Sequence, residues 1–231
     1  MKSLPPTLWH FVLTMGLVWL ALWTEPAQGQ SPAGGKPDGE IRIVALEGKA
    51  EISTDEGRNW VSTQSDQVLK PHHRLRTGAN RRVTLRWSDQ SKATFGPLTD
   101  LEVLPSPTSD DLPGLHLWKG IFSFFHRDKP GRIRVLTRGT VAGVEGTEFV
   151  LKVEETAAGE RATLWMIDGK VQFASAQGAL ALTNGQQAVA EFGKAPGLQA
   201  GFIANNVLQW CFYYPAVLDL RDLPQIGRAH V

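Results

Sequence analysis

Arg82-Val83-Thr84-Leu85-Arg86-Trp87 alternates without interruption, with Val83, Leu85 and Trp87 on one side of an extended chain and Arg82, Thr84 and Arg86 on the other. Successive side chains of a β-strand point to opposite faces, so the hexapeptide reads as a strand with one buried and one wet face. The same rule holds outward along the chain. Ile133 and Val135 alternate with Arg132 and Arg134; Ile41, Ile43 and Ala45 share a face; Ala50 and Ile52 lead through the Asp55-Glu56-Gly57 turn to Trp60. Asp168-Gly169, set between Leu164–Ile167 and Lys170–Phe173, reads as the two-residue type I′ turn of a hairpin, and Asn184-Gly185 reads the same way. No stretch from residue 40 to residue 192 sustains a helical period. The expectation is one all-β domain over 40–192, a sandwich or solenoid-like roll of short antiparallel strands. Helix is expected only outside it, in the apolar N-terminal segment and in a short C-terminal helix from Val207 to Cys211 that Asn205 or Asn206 caps and Pro215 ends.

The two ends carry signals of another kind. Lys2, an apolar run from Leu8 to Trp23 and a polar stretch closing on Ala27-Gln28-Gly29 have the layout of a secretory signal over 1–29, with cleavage after Gly29. The expected location is the periplasm or the outside of a bacterial cell. The run is shorter than the roughly 20 residues a bilayer helix needs, and a retained anchor is the second reading and the only membrane contact the sequence offers. Residues 30–39 form a Pro/Gly/Ser-rich spacer and 193–225 a linker with the helical segment. Ile226-Gly227-Arg228-Ala229-His230-Val231 reads as a translated sequencing-library adapter, so the open reading frame is expected to continue beyond this fragment.

Composition excludes several classes. The 24 basic and 23 acidic side chains nearly balance, so bulk charge points to neither nucleic acid nor an anionic membrane. Cys211 is the single cysteine, which leaves no internal disulfide and reads as a small apolar residue beside Trp210 and Phe212.

The motifs between Ile41 and Val189 resemble, in order and spacing, the FecR domain. They are Gly48 after the opening strand, Trp60, Leu69, and Leu75-Arg76-Thr77-Gly78; then Trp87-Ser88-Asp89-Gln90-Ser91 and Leu117-Trp118-Lys119-Gly120-Ile121-Phe122. Val135-Leu136-Thr137, Gly143-Val144-Glu145-Gly146-Thr147-Glu148-Phe149, Asp168-Gly169-Lys170-Val171 and Asn184-Gly185-Gln186 follow. Thr77, Gly78, Gly120, Gly143, Gly146, Thr147, Phe149, Gly169 and Gly185 read as a folding signature: glycines for tight turns or close backbone approach, the Thr147 hydroxyl for a backbone group, Phe149 for the core. The resemblance implies membership of a group whose best-known proteins receive a signal from an outer-membrane iron-siderophore receptor and carry a cytoplasmic anti-sigma portion. Only Met1–Thr7 precede the apolar run here, so the implied role is an exported recognition or scaffolding module rather than direct sigma-factor control. Val207–Pro215 resembles the junction at which some exported FecR-domain proteins enter tetratricopeptide repeats; the other reading is a helix laid over an edge of the β-domain.

Constellations for chemistry are sparse. His72-His73 would point to opposite faces of a strand and do not chelate one ion. Lys70, Arg74, Arg76, Arg81, Arg82 and Arg86 read as the wet face of two strands, with an anionic glycan or acidic partner as the alternative. Glu145 and Glu148, three apart on an extended chain, are expected on opposite faces, and no nucleophile elbow, phosphate loop or zinc-protease helix occurs. Alternation sends Trp118, Phe122 and Phe124 to one side and Phe125 to the other. The expectation is therefore not an enzyme, with no cofactor and no metal, binding a protein partner in the cell envelope. Glycan binding through Trp118, Arg82 and Arg86, or envelope signalling of the FecR-regulator type, are the alternatives.

Overall fold

The computed structural model describes residues 40–107, 112–126 and 131–212. They form fifteen strands and one helix: β1 (Ile41–Glu47), β2 (Ala50–Ser53), β3 (Val61–Ser62), β4 (Val68–Leu69), β5 (Arg74–Thr77), β6 (Arg82–Trp87), β7 (Lys92–Phe95), β8 (Asp100–Val103), β9 (Leu115–Phe125), β10 (Gly131–Leu136), β11 (Thr140–Thr156), β12 (Gly159–Ser175), β13 (Gly178–Thr183), β14 (Gln186–Glu191), β15 (Gly197–Gln199) and α1 (Ala204–Phe212). The domain is all-β, as the alternation predicts, but two of its strands are seventeen residues long. Pairing is antiparallel except where Leu115 and His116 of β9 run parallel to Val135 and Leu136 of β10.

Hydrogen bonding joins the strands into one sheet that doubles over into two layers. The first layer runs β4-β1-β6-β7, the second half of β9, the second half of β11, the first half of β12, then β14-β15. The second runs β3-β2-β5-β8, the first half of β9, β10, the first half of β11, the second half of β12, then β13. Three long strands thus serve both layers. An unbent seventeen-residue strand would be about 56 Å long, yet Arg138, just before β11, is ion-paired to Glu155 near its far end. The strand doubles back.

The fold line lies at the glycine motifs and corrects two expectations. Asp168-Gly169 is not a hairpin turn: β12 runs through it, paired to β11 on both sides of paired register slips at Thr147 and Ile167. Asn184-Gly185 is not one either, because β13 and β14 follow each other along successive halves of the same β12 edge. The true β11–β12 turn is Ala157-Ala158, between the paired Thr156 and Gly159. Bulges bend a strand and add twist, so slips on adjacent strands at one level turn a flat ribbon into a corner.

The inner faces of both layers share one core. Phe122 and Phe149 meet edge to face at 5.5 Å, Phe124 stacks on Phe149 at 5.3 Å, and Phe95 stacks on Phe122 at 5.2 Å. Val83, Leu85 and Trp87 are all buried, and the Trp87 indole donates to the Pro113 carbonyl at 3.1 Å. Ala45 departs from its expected face: the β1–β6 register slips at Val44, so Leu46, not Ala45, packs on the core. Helix α1 begins three residues before the expected Val207. The Ile203 carbonyl accepts from the Asn206 N–H, and both asparagines sit inside the first turn instead of capping it. Arg82 donates to the Trp210 carbonyl, and the Trp210 ring lies where a Cβ on Gly96 would be 3.3 Å from it. The apolar run Leu8–Trp23, Pro215 and the adapter-like tail lie outside the described residues, among which no helix is long and apolar enough to cross a membrane.

Candidate binding surface

At the fold line two glycines are pressed together. Gly146 pairs with Gly169, whose φ is +123°; a Cβ on Gly169 would lie 2.3 Å from the Gly146 Cα and 2.7 Å from the Glu145 carbonyl. Asn184 locks the corner, accepting from the Gly169 N–H at 2.6 Å and donating to Asp168 at 2.8 Å. A second latch is built on Thr77, whose buried hydroxyl donates to the Gly96 carbonyl at 2.7 Å and accepts from the Thr99 N–H at 2.9 Å. Thr77→Val keeps the shape and deletes both bonds, so urea unfolding should show a loss of about 2 kcal/mol. Phe149 is fully buried, whereas the Thr147 side chain lies outside the described residues. Gly143 is different in kind: a Cβ there would meet nothing within 4 Å, so no close approach requires it.

The expected grouping of Trp118 with Arg82 and Arg86 does not form. Arg82 and Arg86 lie on β6 in the first layer, and Arg82 is ion-paired to Glu47 at 3.1 Å. Trp118 lies on the part of β9 that belongs to the second layer. Nor does Trp118 share a face with Phe122 and Phe124. The β8–β9 register slips there, leaving Trp118 without a strand partner, and Gly120 follows at φ +109°, where a Cβ would lie 2.3 Å from the Thr99 hydroxyl oxygen. One extra residue inverts the alternation. The basic stretch also divides, since β5 pairs with β2 and β8 whereas β6 pairs with β1 and β7.

On the solvent side of the second layer, Trp118 instead enters a stack of rings and guanidinium groups. His116 lies 3.9 Å from Trp118, Arg74 sits 5.3 Å from Trp118 and 5.6 Å from Trp60, and Arg76 covers Trp60 at 4.1 Å. Asp100 holds Arg74 at 2.8 Å and Glu51 holds Arg76 at 2.6 Å, fixing both cations over the indoles. Burial pulls the His116 imidazole below its ordinary range.

Farther along the same face a trough of about 540 Å3 crosses β10, β11, β12 and β13. Its lining follows the register. Arg132, Glu145, Lys170 and Thr183 form one cross-strand row; Arg134, Gly143, Gln172 and Ala181 form another; both rows are exposed. Ile133, Val144, Val171 and Leu182 lie between them with side chains turned into the core, so the trough opens on the outer face. Gly143 and Ala181 leave its floor low. Arg132 is 3.3 Å from Glu145, and neither Arg134 nor Lys170 has an ion pair among the described residues. Sequence reading missed this site because Gly143 and Arg134 become neighbours only through strand register.

One Ser–Asp–His grouping is held in structural bonds. Ser91, Asp89 and His126 meet at the β6–β7 turn, with Ser91 Oγ 2.8 Å from Asp89 and 2.7 Å from His126 Nδ1. A carboxylate only accepts, so the Ser91 proton goes to Asp89 and Nδ1 must donate to Ser91. Ser91 is fully buried besides, and this is the reverse of a base activating a nucleophile. Glu145 and Glu148 fall on the same outer face, against expectation, because the Thr147 bulge restores the parity. They serve different partners, Glu145 facing Arg132 and Glu148 lying across from Asp168. Burial, then the Asp168 charge, raises the Glu148 carboxyl above its ordinary value. A raised folded-state value means that ionisation costs stability as pH climbs past the unfolded-state value. Glu148→Gln should therefore raise the melting temperature at pH 7 and leave it unchanged near pH 3. Among the described residues no group of three or more His, Cys, Asp or Glu side chains could hold a metal ion.

The fold and its glycine corner define a two-layer all-β module in which three long strands serve both layers. The FecR protein family profile matches residues 73–172, and the chain carries a FecR domain. Two crystal structures of a candidate anti-sigma factor from Parabacteroides distasonis ATCC 8503 share the fold, each with a TM-score of 0.50 and 16% sequence identity over 60% of this chain. The likeness spans 63% and 64% of those chains, less than two thirds of their length. No curated protein matches the chain.

Proposed function

We propose that this chain is a non-catalytic, exported recognition module of the envelope-signalling kind, which binds a protein partner on the outer face of its second layer. The trough carries the reading. It is the place where residues within the FecR match, from Pro107 to Gln172, present exposed cations and an unfilled floor together. The fold likeness to a candidate anti-sigma factor supports a signalling role, and the Ser91–Asp89–His126 bonding supports a non-catalytic one. Export rests on the Leu8–Trp23 run and the Ala27-Gln28-Gly29 site. A photo-crosslinking residue placed at Gln172 in the full chain should yield a defined envelope-protein adduct that the same residue at Arg86, on the other layer, does not. Equal labelling at both positions, or none, would overturn the reading.

A glycan is the second reading, favoured by the Trp60–Arg74–Trp118 stack, where guanidinium groups held by Asp100 and Glu51 offer fixed donors to sugar hydroxyls. Trp118→Ala should then abolish retention on cell-wall or surface glycan, and equal retention of both forms defeats it.

A further inference from the structure

We infer that the trough takes an extended acidic peptide segment of the partner, lying across the strands rather than along them; the inference rests on the protein-recognition reading above. Charge decides the ligand's sign. Arg132, Arg134 and Lys170 face one carboxylate, Glu145, and that carboxylate is already engaged by Arg132. Arg134 and Lys170 are on different strands and in different rows, so they flank the floor. Carboxylates on either side of a segment passing between them would each meet a cation.

Shape decides the ligand's form. From β10 to β13 the trough crosses three interstrand gaps, about 14 Å, which an extended chain covers in about four residues. The floor is low because Gly143 has no side chain and its missing Cβ would face open space. Ala181 keeps it low at the β13 end, and Leu112 with Pro107 closes the β10 end with apolar surface. A backbone can rest on such a floor while acidic residues adjacent in sequence, whose side chains point to opposite sides of an extended chain, reach the two rims.

The test uses the full chain and a fluorescein-labelled octapeptide of repeated Glu-Glu-Gly-Gly, which places carboxylates on both sides of an extended chain, read by anisotropy at low salt. The wild type should bind it, and the matching Lys-Lys-Gly-Gly peptide should not bind. Gly143→Trp, which fills the floor without a backbone clash, and Arg134→Glu, which reverses one rim, should each weaken binding about tenfold or more. Ala181→Trp gives the same reading should Gly143→Trp fail to fold. Binding unchanged in both floor variants, equal binding of the basic peptide, or binding of a sulfated oligosaccharide in place of the acidic peptide would each overturn the inference. Failure here with a Gln172-specific protein adduct intact removes the acidic segment and leaves protein recognition standing; loss of the adduct removes the recognition reading itself.

Discussion

Gly169→Val is expected to unfold the domain under conditions where Gly143→Ala leaves it untouched. The new Cβ would lie 2.3 Å from the Gly146 Cα and 2.7 Å from the Glu145 carbonyl, both backbone atoms that cannot swing aside. The φ of +123° adds strain of about 1–3 kcal/mol for a residue other than glycine. Overpacking of a fixed backbone adds about as much again. Together they remove about 4 kcal/mol, a large part of the 5–15 kcal/mol that holds a domain of this size. Separating the two strands is the only relief, and it opens the corner joining the layers. Urea titration followed by tryptophan fluorescence reads the loss, because Trp87 is buried in the core. A midpoint like that of wild type would show that the corner does not depend on this contact.

Glu160→Gln is expected to cost about 3 kcal/mol, although it changes one atom. The carboxylate is buried at the start of β12 and closes the turn before β11. It accepts from the Thr137 hydroxyl at 2.5 Å, the Gly139 N–H at 3.0 Å and the Arg138 N–H at 3.1 Å. An amide must aim its NH2 at one of these donors, which leaves a buried N–H facing another. The Arg138 side chain, near Glu160 and paired with Glu155, loses part of its anchor as well. Limited proteolysis should cut the variant at 137–140 before any other site. Wild-type resistance there, with an unchanged melting temperature, would show that the carboxylate does not hold the turn.

Much of the fold was legible where alternation ran without a slip. Val83, Leu85 and Trp87, and likewise Ile133 and Val135, face the core as period two requires. Prediction failed wherever one residue was added to a strand. Val44 displaced Ala45, the slip at Trp118 inverted β9, and Thr147 brought Glu145 and Glu148 to one face. Asp168-Gly169 and Asn184-Gly185 have the composition of hairpin turns, and nothing local separates a turn from a bulge at a corner. The difference lies in the partner strand, which is remote in sequence. The candidate surface failed for the same reason. Residue type alone groups Arg82 with Trp118, whereas layer membership is fixed by pairings that only the folded chain displays.

The doubled-over β11–β12 ribbon also bears on the order of folding. Its two strands meet through a two-residue turn at Ala157-Ala158, so their pairing closes almost no loop and can zip outward from Thr156 and Gly159. Every other strand of the second layer's far end, β10 and β13, pairs against a half of this ribbon, and β14 pairs against its first-layer half. A local hairpin thereby acts as template for both layers at once, sparing the chain a separate search for each. Conservative truncations along Phe149–Val153 and Ala162–Met166 should slow refolding, while those in β1 and β2 should mainly speed unfolding.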